Sequence, residues 1–173
     1  MGNLEKTALL FQMLCDKYDG ANALGKKASQ KMFYFFERFG IDLRLRYGIH
    51  FYGPYSSKLD DMMYELDCQG YISIDISGPT HIITGGSQKI SQELLSPEEI
   101  KVVDYVMQTF EHKSPMELEA LSTMDYIATT LLPQGASDEE IVEKFKQIKG
   151  TKFEQNVIVN CLQELKEMKL IAS

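Results

Sequence analysis

Three histidines and three cysteines are the residues of this 173-residue chain best suited to chemistry, and their spacing supports none. His50, His81 and His112 each stand alone, with no cysteine or second histidine at a metal-ligand interval. No C-x-x-C, H-E-x-x-H, G-x-S-x-G, P-loop or G-x-G-x-x-G is present, and Gly85-Gly86 lacks the lysine and helix of a phosphate cradle. Ser56-Ser57, near His50 and Asp60, has the composition of a triad, but a helix cap explains the serines more simply. The sequence therefore predicts no catalytic residue, no metal site and no cofactor, and it points away from an enzyme.

A surface is the richer candidate. Residues 26–46 carry Lys26, Lys27, Lys31, Arg38, Arg44 and Arg46 against only Glu37 and Asp42. The next stretch alternates: Leu43, Leu45, Tyr47, Ile49 and Phe51 share one parity, and Arg44, Arg46, Gly48, His50 and Tyr52 the other. Period two predicts a strand with Leu45, Ile49 and Phe51 on its buried side. Arg44, Arg46, His50 and Tyr52 then face solvent and, with Lys31 from the preceding helix, form a basic and aromatic partner-binding patch. Arginine and tyrosine dominate interface hot spots. The lysines alone are equally well read as a solvated face. Gly53, Pro54, Tyr55 and Ser56 form a structural corner, because proline has no N–H for a central ladder and Ser56 or Ser57 caps the next helix.

The elements around this patch follow from periodicity and punctuation. Asn3 is placed to cap a first helix whose face is Leu4, Ala8, Phe11, Leu14 and Cys15, and a second helix spans Lys26 to Arg38 and stops at Gly40. Leu59, Met62, Met63 and Leu66 mark the core stripe of a third, ended by Gly70. YISIDI and THIIT, joined through Ser77-Gly78-Pro79, predict a hairpin. Helix, helix, strand, helix, hairpin is a winged-helix order, with Ser56–Gln69 in the recognition-helix slot. Beyond Gly85-Gly86 the chain reads as all helix. Ser96–Glu99, Ser114–Glu117, Ser137–Glu140 and Thr151–Glu154 each fit the capping box. The expectation is an α+β, mostly α chain: a winged-helix-like part with a small β-sheet over 1–86 and a helical part over 87–173, packed together.

The blocks Gln30-Lys31-Met32-Phe33-Tyr34-Phe35, Tyr52-Gly53-Pro54-Tyr55-Ser56 and Leu66 through Gly70-Tyr71-Ile72 resemble those of the YwgA-like bacterial proteins. Glu117-Leu118-Glu119 and Ile148-Lys149 are similar to the C-terminal part of that group. The group in turn resembles the SocA-like, or Panacea, antitoxin domains, whose Gly-Pro block usually follows an aromatic residue, often Trp; Tyr52 holds that place here. The resemblance implies a regulatory role, such as toxin neutralisation or adapting a partner for proteolysis.

Charge constrains the partner. The net charge is −7; residues 1–85 carry 9 basic and 10 acidic side chains, and residues 86–173 carry 9 and 15. A chain of this kind lacks long-range attraction for nucleic acid. The slot helix would show solvent Lys58 against Asp60, Asp61, Glu65 and Asp67, a face that repels phosphates. The cysteines lie among apolar neighbours and read as packed, reduced thiols, which with the absence of a basic leader or a long apolar run suggests a cytoplasmic protein. The expected function is a non-enzymatic protein-interaction or regulatory module, antitoxin-like or a proteolytic adaptor. Its expected partner is another protein, a toxin or a regulatory partner, with a homodimer compatible and no membrane. The alternative is a winged-helix DNA-binding transcriptional regulator.

Overall fold

The computed structural model describes residues 2–173. In chain order the elements are α1 (Gly2–Lys17), β1 (Leu24–Gly25), α2 (Lys26–Arg38), β2 (Gly48–His50), β3 (Gly53–Tyr55), α3 (Ser57–Cys68), β4 (Ile72–Asp75), β5 (Ile82–Gly85), α4 (Pro97–Phe110), α5 (Pro115–Tyr126), a π-helical turn (Ile127–Leu131), α6 (Asp138–Lys149) and α7 (Gln155–Glu167). The chain is α+β and mostly helical. No helix among the described residues is long and apolar enough to cross a membrane. The chain divides into two compact units. Among the described residues, one comprises 2–48 and 55–113, the other 49–54 and 114–173.

In the first unit, α1 to α4 pack with a three-stranded sheet in the order β1-β5-β4. The predicted hairpin forms as expected: Ile74 stands opposite Ile83, and Leu24 of β1 faces Ile83 from the other side. The core is aromatic. Phe11 and Phe33 lie 4.5 Å apart between centroids, and Phe35 stacks on Phe110 of α4 at 4.1 Å and 11°. Such pairs add about 0.5–1.5 kcal/mol beyond the area they bury.

The boundary expected at residue 86 is displaced, for a physical reason. Gly86 does not loosen the chain; its backbone crosses the end of α3 at close range. Its N–H donates to the Tyr71 carbonyl at 3.0 Å, and the Gln88 N–H donates to the Gly70 carbonyl at 2.9 Å. The buried Gln12 amide then ties down residues 88–90, donating to the carbonyls of Tyr71 and Gln88 and accepting from the Ile90 N–H. Residues 87–113, α4 included, therefore belong with the first unit.

In the second unit α5 is buried continuously from Leu118 to Tyr126, surrounded by Ile141 and Phe145 of α6 and by Ile158, Cys161, Leu162 and Leu165 of α7. Three of the expected capping boxes close, at Ser96–Glu99, Ser114–Glu117 and Ser137–Glu140. The fourth does not. Gly150 ends α6 with φ 59°, residues 151–153 turn the chain, and α7 begins at Gln155 with Glu154 as its cap residue. Asn3 likewise lies inside the first turn of α1 rather than capping it, and its amide donates to the Leu43 carbonyl.

A Cβ at Gly86 would sit 2.1 Å from the Gly70 carbonyl oxygen and 2.7–2.8 Å from backbone carbons of Gly70 and Tyr71, whereas one at Gly78 meets nothing closer than 3.9 Å. Gly86→Ala should cost about 2–3 kcal/mol, because the obstructing atoms are main chain. Gly78→Ala should stay within about 0.5 kcal/mol of wild type. Urea denaturation midpoints compare the two directly.

Candidate partner-binding surfaces

The corner GPYS is a joint made by buried polar groups. The Gln30 side chain accepts from the Ser56 N–H at 2.9 Å and donates to the Ser56 carbonyl at 3.0 Å, so one amide meets both peptide groups of the residue. The Ser56 hydroxyl donates to the Leu45 carbonyl at 2.6 Å and accepts the Leu59 N–H at 3.1 Å, capping α3. A serine cap of this kind contributes about 1 kcal/mol. The QK and GPYS blocks thus meet in one clamp. Its neighbour Lys31, expected on the surface, is only 3% exposed and is not available to a partner.

The predicted long strand is absent before Gly48, although its alternation is real. Ile41, Leu43 and Leu45 are buried, and Asp42, Arg44 and Arg46 are exposed. The backbone achieves this with left-handed residues: Arg44 has φ 54° and Arg46 φ 57°. A left-handed conformation costs an L-residue roughly 1–2 kcal/mol. What holds it is Glu37, whose Oε1 accepts the N–H groups of Leu43 at 3.1 Å and Leu45 at 3.0 Å. Backbone N–H groups converging on an anion form a nest, filled here by the chain's own carboxylate. Lys58 of α3 braces the ridge from outside, donating to the Arg44 carbonyl at 3.0 Å.

The second unit contains the other half of the predicted patch. β2 and β3 pair across the turn Phe51–Tyr52. The turn ends the period-two alternation, so Phe51 is not in the core: it is 80% exposed, and Tyr52 is 42% exposed. The two rings meet edge to face at 4.9 Å. His50 is exposed, and Gly53 and Pro54 are buried. Gly53, with φ 92°, lies against α5, where a Cβ would come 2.6 Å from the Thr123 hydroxyl.

Under this tip is an ion cluster. Glu119 of α5, 4% exposed, accepts from Lys149 at 2.6 Å and from Lys152 at 2.8 and 3.0 Å. Lys149 also donates to the Phe51 carbonyl at 2.9 Å, which fastens the hairpin to the cluster. The Lys152 ammonium lies 5.8, 5.1 and 5.7 Å from the ring centroids of Phe51, Tyr52 and Phe153, within cation–π range. The turn that replaced the fourth capping box is what delivers Lys152.

The two internal carboxylates titrate in opposite senses. Burial pushes Glu119 up, but the hydrogen bonds and charges of Lys149 and Lys152 outweigh it and hold the group below its ordinary 4.5. Burial also pushes Glu37 up. There only backbone N–H groups oppose it, and Glu37 stays above the ordinary value. Among the cysteines, burial raises Cys15 to about 12, making it an inert thiol; Cys161 is buried, whereas Cys68 is exposed rather than packed as expected. Among the described residues no group of three or more His, Cys, Asp and Glu is placed to hold a metal.

Of the expected site residues, Arg44 and Arg46 are exposed in the first unit, His50 and Tyr52 are exposed in the second, and Lys31 is buried. Phe51, Glu119 and Lys152 were not anticipated. Lys149 carried one legible signal: it continues the buried stripe Ile141, Phe145, where a lone charge demands a partner.

No family model matches the chain. It is 27% identical over 158 residues to a protein of Bacillus subtilis (strain 168) described as "Uncharacterized protein YwgA", across 88% of this chain and 92% of that protein. That extent supports the YwgA-like resemblance read from the short blocks.

Glu119→Leu strands Lys149 without its carboxylate and should cost about 3–5 kcal/mol, while the double variant Glu119→Leu/Lys149→Met should cost less than the single one. In the wild type, the folded state holds Glu119 below its ordinary value. Its contribution is therefore present above pH ~4.5 and lost as pH falls below that, and Glu119→Gln should lack this component. Chemical denaturation across pH 3–7 reads both effects.

Proposed function

We propose that this chain is a non-enzymatic protein-interaction module of regulatory type, whose docking element is the hairpin tip Phe51–Tyr52. The observation carrying this reading is the 80% exposure of Phe51 beside an exposed Tyr52, on a turn fastened by Lys149 to a buried carboxylate. Solvated aromatic side chains on a fixed backbone are suited to a binding hot spot: much area is buried on docking, and little conformational freedom is lost. The QK and GPYS blocks resemble those of YwgA-like proteins, and the resemblance of that group to SocA-like, or Panacea, antitoxin domains favours a toxin or a proteolytic client as the partner. The buried Gln30–Ser56 clamp gives those blocks a structural task, which leaves partner choice to exposed residues such as the tip.

A second reading, a winged-helix DNA-binding regulator, is favoured by the element order of the first unit. The order α1, β1, α2, α3, β4, β5 with sheet order β1-β5-β4 is compatible with this reading, in which α3 would take the reading position. Surface chemistry weighs against it. Asp60 of α3 is held by Lys26 at 2.5 Å, Lys58 is spent on a backbone carbonyl, and Asp61 and Glu65 face solvent. Such a helix repels phosphates and offers no arginine to a base edge.

The double variant Phe51→Ala/Tyr52→Ala separates docking from folding. Both side chains are exposed, so the melting curve should stay near wild type, within about 0.5 kcal/mol per site. Quantitative affinity capture from the native host should lose the partners that wild type retains. An unchanged partner set would remove the tip from the reading, and a nanomolar footprint on duplex DNA would replace it with the regulator.

A further inference from the structure

The conformation of the Asp42–Arg46 segment needs only a backbone that tolerates positive φ. Glycine or asparagine would wrap Glu37 at lower cost, since both enter the left-handed region readily. Arginine stands at both positions instead, with both side chains exposed. The third non-glycine residue of positive φ, Lys169, has an ordinary cause: it comes just after the last turn of α7, where the Leu170 N–H reaches back to the Leu165 carbonyl. No helix end accounts for Arg44 or Arg46. Residues held in sparsely populated backbone regions persist where surrounding structure enforces them, and they cluster at binding sites.

The charge around them is lopsided. Arg44 touches Asp42 at 3.3 Å in a pair that is mostly solvated, with side chains 76% and 70% exposed, so this bond is weak and readily exchanged. Arg46 has no carboxylate partner among the described residues. Lys58 adds a third cation beside them. We propose that the Asp42–Arg46 ridge is an anion-binding site that docks a carboxylate-bearing, acidic segment of a partner protein on the guanidinium groups of Arg44 and Arg46. Guanidinium is suited to this because it presents planar paired donors that match a carboxylate. A peptide is favoured over nucleic acid because the outward Asp61 and Glu65 of the neighbouring α3 would oppose a continuous phosphate backbone. A short acidic segment can meet the ridge alone. Repulsion from the chain's net −7 is screened over about 8 Å at physiological salt. The inference concerns a different surface from the aromatic tip, and its assay reads that surface only.

Fluorescence anisotropy with a short labelled peptide of alternating glutamate and glycine is the test, with the same peptide carrying glutamine and a labelled DNA duplex as comparisons. Wild type should bind the glutamate peptide in low salt, bind the glutamine peptide at least about tenfold more weakly, and lose affinity as salt rises. Arg44→Asn/Arg46→Asn should weaken binding at least about tenfold with a melting temperature equal to or above wild type, because asparagine accepts the left-handed backbone. Arg44→Lys/Arg46→Lys should retain part of the affinity. Absent binding by wild type, full binding by the asparagine variant, a lower melting temperature for that variant, or tighter binding of the duplex would each overturn the proposal.

Discussion

A carboxylate buried on α5 determines how the second unit presents itself. Glu119 cannot stay ionised at 4% exposure without counter-charges, and it has two, Lys149 and Lys152. One lysine comes from the last turn of α6 and the other from the turn beyond Gly150. The geometry of that helix end is therefore part of the charge balance. Lys149 has donors left after meeting Glu119 and uses one on the Phe51 carbonyl, so the requirement to neutralise a buried acid also fixes a hairpin. A buried ion cluster adds little net stability over an apolar replacement. It does define one arrangement, because any displacement strands a charge. An interaction element benefits from that: Phe51 and Tyr52 stand in water without being free to wander.

The first unit obeys the same logic with backbone groups as the partners. Gln30 spends its whole side chain on one residue, Ser56, and the Ser56 hydroxyl joins the 41–47 segment to α3. Glu37 gathers the backbone N–H groups of a segment that is neither helix nor strand. Residues that look functional in sequence, such as a polar pair amid aromatics or a serine after Gly-Pro, are consumed by satisfying buried peptide groups. The side chains left facing outward on those frameworks are the ones available to partners.

Local signals were legible where structure is local. The limits of α2, the stripe Leu59, Met62, Met63 and Leu66, the Ser56 cap, the β4–β5 hairpin and three capping boxes all arise from spacing within a few residues. The failures share a cause. Alternation at 41–46 does place leucines inward and arginines outward, but left-handed residues produce it as well as a strand does, and the choice rests on Glu37 several residues away. Extending that parity through Phe51 placed in the core a ring that the β2–β3 turn sends into solvent. Lys31, buried within α2, cannot be told from a solvated lysine by its position. Gly86 reads as a boundary between two parts because the carbonyl it passes belongs to Gly70, which is distant in sequence. Glu119 and Lys149 are 30 residues apart, and nothing in either segment alone announces the other.

The central claim is that the buried carboxylate, through Lys149, holds the hairpin that displays the aromatic tip. Hydrogen–deuterium exchange across residues 49–54, compared between wild type and Lys149→Met, tests it most directly, since the substitution removes the donor to the Phe51 carbonyl while Lys152 still pairs with Glu119. The account predicts that the 49–54 segment exchanges at least about tenfold faster in the variant, while α1 and α2 of the first unit keep wild-type protection. Unchanged exchange at 49–54, or a loss of protection spread evenly over the whole chain, would contradict it.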